Sequence, residues 1–364
     1  MIQSDLFDFY VDYLIYSSGH VSATGLSRVH DGDFSHDQVS RMLDSKDLAI
    51  DSKTFWKQHK KLVREVQNPS GVLILDDFIV EKPHSKENSL ITWHYSHQQG
   101  RKVKGINIVH LLYSVSYGGK MVDIPVGFEL VHKNDWKQDA KTGKQKRVSK
   151  ISKNEIGRNL LKRATHLHHI PFEYVLADSW YCSAENMRFI KQKLGKDFVM
   201  AIKTNRKVAL TKGKRKYKEF VKLTDLNLEV GKVWEVWLED VPFPVYISKE
   251  VYPNKDGSTG TLFLVTSKKE LEYQQIIGIY QIRWRIESAH KSLKNNTSLA
   301  ASPTKTLATQ TRHIFASFYA FVKIEAIKIK TKLNHFALKN KMYIKALKAA
   351  KKELAVLEIS SFRA

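Results

Sequence analysis

Apolar residues recur along the chain with two different spacings, which divide it into three regions. Residues 1–68 and 301–364 show the spacing of amphipathic helices, whereas the region between them alternates strand-like apolar runs with helical segments. This alternation predicts a mixed α/β domain at residues 69–300, between two helical regions. The predicted helices of the outer regions are Asp5–Tyr16, Ser22–Val29, His36–Asp44, Lys53–Val66, Thr306–Lys332 and Phe336–Leu357.

The central region combines short apolar runs with two longer ones that are joined by a tight turn. Tyr117-Gly-Gly-Lys120 separates the longer runs and predicts a β-hairpin. The predicted strands are Val72–Leu75, Lys104–Ser116, Met121–Val131, Glu173–Ala177 and Phe198–Ile202, with helices at Asn154–Thr165 and Glu185–Leu194. Further strand-like runs fill Val208–Val265, which is more chain than a simple connection needs. We therefore interpret residues 205–266 as a β-rich insertion into the α/β domain.

The charge balance indicates the kind of partner. The 364 residues include 60 Lys and Arg against 37 Asp and Glu, a net charge of +23, which is typical of a protein that binds a polyanion. The first 50 residues are nevertheless acidic, with three basic residues against eight aspartates. The single cysteine, Cys182, excludes a disulfide within the chain and favours a reducing cytoplasm. No apolar run approaches the length of a membrane span, and no secretory signal is expected.

Two segments carry much of the positive charge and few apolar residues. Lys133–Lys153 contains eight Lys and Arg, and Lys203–Lys222 contains nine. We interpret both as mobile loops or arms that contact DNA phosphates, although solvated loops without a ligand would have the same composition. The basic residues predicted to bind DNA are Lys146, Arg147, Arg206, Lys207, Lys212, Lys214, Arg215 and Lys216.

Two short helices near the N-terminus, separated by a turn that contains glycine, are typical of a helix-turn-helix. Ser35, Gln38 and Arg41 would then face a DNA groove. The acidic charge of this region speaks against strong contact with the DNA backbone, and a small bundle that only packs would show the same pattern.

Candidate catalytic residues fall at the ends of strands and on one helix. Tyr280, Arg283, Glu287 and Lys294 lie at i, i+3, i+7 and i+14, which predicts one helical face carrying a phenol, a guanidinium, a carboxylate and an ammonium. Two further carboxylate positions follow predicted strands, Asp76-Asp77 after Leu75 and Asp178 after Ala177. Strand-end carboxylates of α/β sheets point into the crevice where such sheets bind ligands. Two such aspartates and a helix glutamate predict a site for divalent metal, whereas any one of them could be a turn or cap residue.

These residues resemble the catalytic set of a known family. Asp76, Asp178 and Glu287 are similar to the DDE triad of cut-and-paste bacterial insertion-sequence transposases. The Tyr280, Arg283, Glu287, Lys294 set resembles the Tyr-x2-Arg-x3-Glu-x6-Lys (YREK) signature of the insertion-sequence-four superfamily, and Ala177-Asp178-Ser-Trp-Tyr181 resembles its second-aspartate segment. The likeness covers about residues 70–330. This chain has Asp76-Asp77-Phe78 where the family tends to have Asp-x-Thr or Asp-x-Ser, so Asp76 is the expected ligand and Asp77 the alternative.

The resemblance implies a fold and an activity. The fold would be ribonuclease-H-like at 69–300, interrupted at about 205–266, with a helical N-terminal domain at 1–68 and C-terminal helices at 301–364. The activity would be cleavage of transposon ends and transfer of the 3′-hydroxyl into target DNA, with two Mg²⁺ ions, or Mn²⁺ as a substitute, on the three carboxylates. Tyr280, Arg283 and Lys294 would grip phosphates of double-stranded DNA, in terminal inverted repeats and target, within a homodimeric synaptic complex at the bacterial nucleoid. Two rival classes are a related nuclease without strand transfer and a catalytically silent DNA-binding protein.

Overall fold

The computed structural model describes residues 2–361 except 18, 31, 46–50, 97–98, 141–142, 255, 303 and 305. The chain forms two compact units, each assembled from separate stretches of sequence. We call them the helical unit (Met1–Leu62, Val80–Asn88 and Ala289–Ala364) and the sheet unit (Val63–Ile79 and Ser89–Ser288).

Four helices precede the first strand, at the positions expected from the sequence. Ser22 begins the second of them by accepting a hydrogen bond from the Gly25 N–H, and Ser35 forms a capping box with Gln38 at the start of the third. Two of the three residues predicted to face a DNA groove therefore cap their own helix, while DNA contact by this helix pair stays a prediction. The helices are α1 (Ile2–Tyr16), α2 (Ala23–Val29), α3 (His36–Asp44) and α4 (Ser52–Val66).

The sheet unit is built on a mixed nine-stranded sheet, with helices preceding and following the parallel strand Tyr174–Ala177. Its first elements are β1 (Val72–Glu81), β2 (Thr92–Ser96), β3 (Arg101–Tyr117), β4 (Lys120–Leu130), β5 (Asp135–Gln138), β6 (Gln145–Val148), α5 (Lys153–Lys162), β7 (Tyr174–Ala177), α6 (Ala184–Arg188) and β8 (Asp197–Ile202). The β3–β4 hairpin turns at Gly118 and Gly119, both with positive φ, as the glycine pair predicts. Strands β1, β7 and β8 run parallel, with Leu75 opposite Ala177 and Ala177 opposite Met200.

Strand β1 is longer than the sequence predicts. We expected it to end at Leu75, but it continues to Glu81, so Asp76 and Asp77 lie inside a strand. Aspartate disfavours strands, which is why the pattern ends the strand early. The neighbouring strand β3 keeps the backbone of β1 in the sheet beyond its pairing with β7.

In the described residues of the predicted β-rich insertion, three strands continue the same sheet and two form a separate two-stranded sheet. The elements of this part are β9 (Lys207–Val208), α7 (Lys212–Lys216), β10 (Val221–Lys222), β11 (Val233–Val236), β12 (Val245–Pro253) and β13 (Thr259–Thr266). Strand β13 pairs antiparallel with β8, through Val265 and Met200, and the sheet order is β11-β12-β13-β8-β7-β1-β3-β2, with β4 on β3.

Both basic segments, which we expected to be mobile loops or arms, contain short elements of regular structure. Strands β5 and β6 form a two-stranded sheet within Lys133–Lys153, and β9, α7 and β10 lie within Lys203–Lys222. Lysine-rich strands of two to four residues show too little apolar alternation to be recognised in a sequence.

Four helices complete the chain: α8 (Tyr273–Gln281), α9 (Trp284–Asn296), α10 (Leu307–Thr331) and α11 (His335–Ser361). In the helical unit, α10 packs against α1 and α3. Its core includes Leu6, Tyr10, Leu14, Leu26, Val39, Met42, Ala316, Ala320, Ile324 and Leu338. Within the described part of the chain, no helix has the length and apolarity needed to cross a membrane.

Candidate active site

Asp76 and Asp178 occupy equivalent positions on adjacent parallel strands. Leu75 of β1 pairs with Ala177 of β7, and Asp76 and Asp178 directly follow these two residues. Burial, followed by the charges of Asp178 and Asp77, raises the pKa of Asp76 to about 7. Burial also raises the pKa of Asp178, against the hydrogen bond that its Oδ1 accepts from the Trp180 N–H at 2.9 Å. The fold therefore places two partly buried carboxylates together in a site with excess negative charge.

Arg283 is the cation that the fold supplies to this site. Its Nη2 donates a hydrogen bond to Oε1 of Glu287 at 2.8 Å, and its Nη1 lies 3.9 Å from Oδ2 of Asp76. The Arg283 side chain is only 8% exposed, whereas the Glu287 side chain is 45% exposed. The guanidinium thus connects the glutamate of α9 with the aspartate of β1, and brings together three residues that the sequence marked as candidates.

The residues from Tyr280 to Lys294 do not form one continuous helix, which corrects our expectation of a single face. Tyr280 belongs to α8, Arg283 lies in the break, and Glu287 lies in the first turn of α9. Around the break, the N–H of Arg283 donates to the C=O of Tyr280, and the N–H of Ile286 donates to the C=O of Arg283. Each of these hydrogen bonds spans three residues. Such tight turns rotate the chain by about 120° per residue instead of 100°, so the ideal helical offsets do not apply.

Tyr280 and Lys294 differ in their surroundings. Tyr280 is buried, which raises the pKa of its phenol to about 12, and the Arg283 guanidinium lies 5.5 Å from its ring. Lys294 lies in the last turn of α9, in the part of this helix that belongs to the helical unit. Desolvation lowers the pKa of Lys294, and Glu81 of the same unit opposes that shift.

Asp77 points into a network that the sequence did not reveal. Its Oδ1 accepts hydrogen bonds from Lys153 Nζ at 2.7 Å and from the Tyr181 hydroxyl at 2.9 Å. Its Oδ2 accepts from Asn107 Nδ2 at 2.7 Å and from Lys153 at 2.8 Å. Three partners thus engage both oxygens of Asp77. Tyr181 stands in the segment that resembles the family's second-aspartate segment, and Lys153 ends the first basic segment, but the sequence linked neither of them, nor Asn107, to Asp77.

Trp180 stands between two lysines beside Asp178. The ammonium groups of Lys153 and Lys203 lie 4.7 and 5.4 Å from the centre of its ring, which is an arrangement typical of cation–π contacts. A cleft of about 450 Å³ opens next to it, lined among others by Lys203, Arg206 and Lys207. Two of the predicted DNA-binding residues therefore lie near the second aspartate.

The remaining basic candidates are spread over two short elements. Lys212, Lys214, Arg215 and Lys216 all belong to α7, where the Arg215 guanidinium lies 5.4 Å from the Trp237 ring. In β6, Lys146 pairs with Asp139 at 2.7 Å, and the Arg147 guanidinium stacks 4.5 Å from the ring of Trp136.

The sequence matches the family model of the DDE superfamily endonucleases over residues 3–218. The chain belongs to this family. The matched segment includes Asp76 and Asp178 and ends before Glu287. Among curated proteins, none matches the chain. Membership of the DDE superfamily supports a nuclease that acts on DNA with divalent metal ions.

The donor set of this DDE superfamily chain fits a hard divalent cation. Asp76, Asp178 and Glu287 offer only carboxylate oxygens. Burial first, and then the neighbouring charges of Asp178 and Asp77, raise the pKa of Asp76, and a bound cation would offset both effects. Among the residues that the structure describes, however, no three or more His, Cys, Asp or Glu side chains are gathered closely enough to hold a metal ion. In this arrangement Glu287 pairs with Arg283.

Proposed function

We propose that this protein is a DNA transposase of the insertion-sequence-four type with the YREK signature. It would cut DNA at transposon ends and transfer the freed 3′-hydroxyl into target DNA. The observation that carries the proposal is the contact of Arg283 with both Glu287 and Asp76, because it joins the helix signature to the strand aspartates.

Asp76, Asp178 and Glu287 are the residues that we expect to hold two Mg²⁺ ions, with Mn²⁺ as a substitute. When bound, such ions make a water or a 3′-hydroxyl nucleophilic and stabilise the leaving oxygen. Asp76 is the better ligand of the two adjacent aspartates, because Lys153, Tyr181 and Asn107 already use both oxygens of Asp77. Asp76 must lose its proton to serve, and its pKa of about 7 allows this near neutral pH.

Arg283 has two roles in this proposal. Without DNA it neutralises Glu287 and part of the charge on Asp76. If Glu287 held a metal ion, the guanidinium would be free to bind a DNA phosphate with two hydrogen bonds. We assign phosphate contacts to Tyr280 and Lys294 as well, from the signature alone.

We further propose a ribonuclease-H-like catalytic domain at 69–300, between a helical domain at 1–68 and a C-terminal helical region at 301–364. The parallel β1–β7–β8 core flanked by the antiparallel β3–β4 hairpin supports this assignment. The substrate would be double-stranded DNA, as terminal inverted repeats and target. The basic groups in β6, α7 and the cleft beside Trp180 would add phosphate contacts, and a homodimer in the bacterial nucleoid would hold the two ends.

The test uses a plasmid that carries the inverted repeats flanking this gene around a marker. With Mg²⁺ or Mn²⁺ we expect cleavage at the repeat ends and, after addition of target plasmid, joined products. EDTA should abolish both. Asp178→Ala and Glu287→Ala should lose cleavage but keep DNA binding in gel shifts, since removing negative charge does not weaken phosphate attraction.

Three other outcomes would contradict the proposal in different ways. Cleavage without joining would indicate a nuclease that lacks strand transfer, which the family description also allows. Binding without cleavage under all metal conditions would indicate a catalytically silent DNA-binding protein. Normal cleavage by Glu287→Ala would remove the signature helix from the active site.

A further inference from the structure

The hairpin of β5 and β6 has two chemically different faces. Cross-strand partners share a face of a β-ribbon, and successive residues alternate between faces. Trp136 pairs with Arg147 and Gln138 with Gln145, so these four lie on one face, which we call the Trp136 face. The other face carries the pair of Lys137 and Lys146, together with Asp135 and Val148.

The Trp136 face presents an indole ring, a guanidinium and two amides. Trp136 is 57% exposed, which is unusual for the largest apolar side chain. The Arg147 guanidinium lies 4.5 Å from its ring centre, so each group holds the other in place. Beside this pair stand Gln138 and Gln145, both exposed. Arg147 Nη1 donates to the Lys133 carbonyl at 3.4 Å and Gln138 Nε2 to the Gly143 carbonyl at 3.1 Å. These bonds hold the two side chains in position, and the face offers their other donors and acceptors.

The ribbon has few apolar side chains of its own that could stabilise it. It is a two-stranded sheet separate from the main sheet, and such ribbons are only marginally stable by themselves in water. Polar contacts support it at both ends, between Lys146 and Asp139 at 2.7 Å and between Lys150 and Asp135 at 3.8 Å. Six exposed or half-exposed basic residues accompany it, so its natural partner is a polyanion: Lys133, Lys137, Lys144, Lys146, Arg147 and Lys150.

We propose that this ribbon enters the major groove of DNA and reads bases with its Trp136 face. This inference rests on the proposed function, in that the substrate is double-stranded DNA. The major groove is about 12 Å wide and admits a two-stranded ribbon. Arginine recognises guanine there and glutamine recognises adenine, each through paired hydrogen bonds. Lys137 and Lys146, on the other face, contact phosphates and carry no sequence information.

The two faces predict different effects of substitution. Arg147→Ala should weaken binding to a preferred sequence by about 5- to 150-fold more than it weakens binding to random DNA, which is the range of one base-specific pair. Lys137→Ala, the matched control on the opposite face, should weaken binding to both kinds of DNA by the same factor. It should also lower the dependence of log K on log salt concentration by about 1.

The experiment begins with selection from a randomised 40-base-pair duplex library by the wild-type chain. Wild type, Arg147→Ala, Arg147→Lys, Trp136→Phe and Lys137→Ala are then compared on the selected duplex and on the unselected library. Trp136→Phe keeps a platform for Arg147 and should retain most of the preference. Thermal melting of each variant checks that the fold is intact, which we expect because the ribbon lies outside the main sheet.

Two results would overturn the proposal. The first is an equal loss of affinity by Arg147→Ala for selected and random DNA, which would make the ribbon a phosphate contact only. The second is the same consensus sequence from selections with wild type and Arg147→Ala. Neither result bears on catalysis, because Mg²⁺-dependent cleavage by the wild-type chain is measured separately. If the wild-type chain showed no such cleavage but kept the DNA sequence preference that depends on Arg147, only the proposed function would be contradicted.

Discussion

The hydroxyl of Tyr181 donates a hydrogen bond to Oδ1 of Asp77 at 2.9 Å. This bond connects the segment that follows Asp178 to the residue next to Asp76, across 104 positions of sequence. Tyr181 is fully buried, and its backbone N–H also points to Asp178 Oδ1 at 3.4 Å. The phenol therefore helps to set the spacing of the two aspartates that we assign to the metal site.

We predict that Tyr181→Phe lowers the affinity for Mn²⁺ more than it lowers stability. The substitution keeps the ring in the core, and Asp77 keeps Lys153 and Asn107, so the loss in free energy of unfolding should be about 1–2 kcal/mol. Calorimetry with Mn²⁺ and urea unfolding measure the two quantities on the same protein. An unchanged Mn²⁺ affinity with reduced stability would show that the phenol only supports packing.

Replacement of the two adjacent aspartates should separate chemistry from stability. Asp76→Ala should abolish cleavage and stabilise or barely change the metal-free fold, because it removes a buried carboxylate whose pKa is raised. Asp77→Ala should cost about 2–4 kcal/mol, because it leaves Lys153 and Asn107 without their acceptor in a partly buried site. Cleavage assays and urea unfolding of both variants in parallel provide the comparison. If Asp77→Ala were the stable, inactive variant, the assignment would have to be reversed.

The raised pKa of Asp76 predicts a specific pH dependence. Its folded pKa is about 7 and its unfolded value is near 4, so the folded state holds the proton more tightly. Its contribution to stability is then complete below about pH 4 and is lost as the pH rises to about 7, at roughly 1 kcal/mol per pH unit. Urea unfolding in EDTA should show wild type losing stability relative to Asp76→Asn across this window.

Metal binding should follow the opposite trend with pH. Because the cation competes with the proton on Asp76, Mn²⁺ affinity should increase up to about pH 7 and then level off. If the free energies of unfolding of wild type and Asp76→Asn changed equally between about pH 4 and 7, that result would contradict the raised pKa of Asp76.

The sequence located the local features of this fold well. The starts of α2 and α3 follow from Ser22 and Ser35, whose caps involve residues three positions away. The β3–β4 turn follows from its two glycines in the same way. Each of these signals lies within a few residues of the structure that it determines.

What the sequence could not show depends on distant contacts or on small changes in helix geometry. Asn107 and Lys153 reach Asp77 from 30 and 76 positions away, and no local pattern indicates that either of them contacts Asp77. The break between α8 and α9 contains neither Gly nor Pro, so the run from Tyr280 to Glu287 looks like uninterrupted helix. Asp76 and Asp178 were visible as candidates because they follow apolar runs, and Glu287 because of its spacing from Tyr280, Arg283 and Lys294. The contacts of Arg283 with Asp76 and Glu287 were not visible.

Our last prediction concerns Arg283 as a competitor of the metal ion. The guanidinium holds Glu287 at 2.8 Å and lies 3.9 Å from Asp76, where its charge opposes the approach of a cation. Arg283→Gln should therefore bind Mn²⁺ more tightly than wild type, by about tenfold, while its binding to cleaved DNA ends falls. Arg285→Gln is the matched control. It removes the same charge two residues along the chain, at an arginine that forms an ion pair with Asp123. Calorimetry with Mn²⁺, gel shifts with pre-cleaved ends and melting curves would be compared for the two variants. Weaker Mn²⁺ binding by Arg283→Gln than by Arg285→Gln would mean that Arg283 organises the carboxylates instead of competing for them.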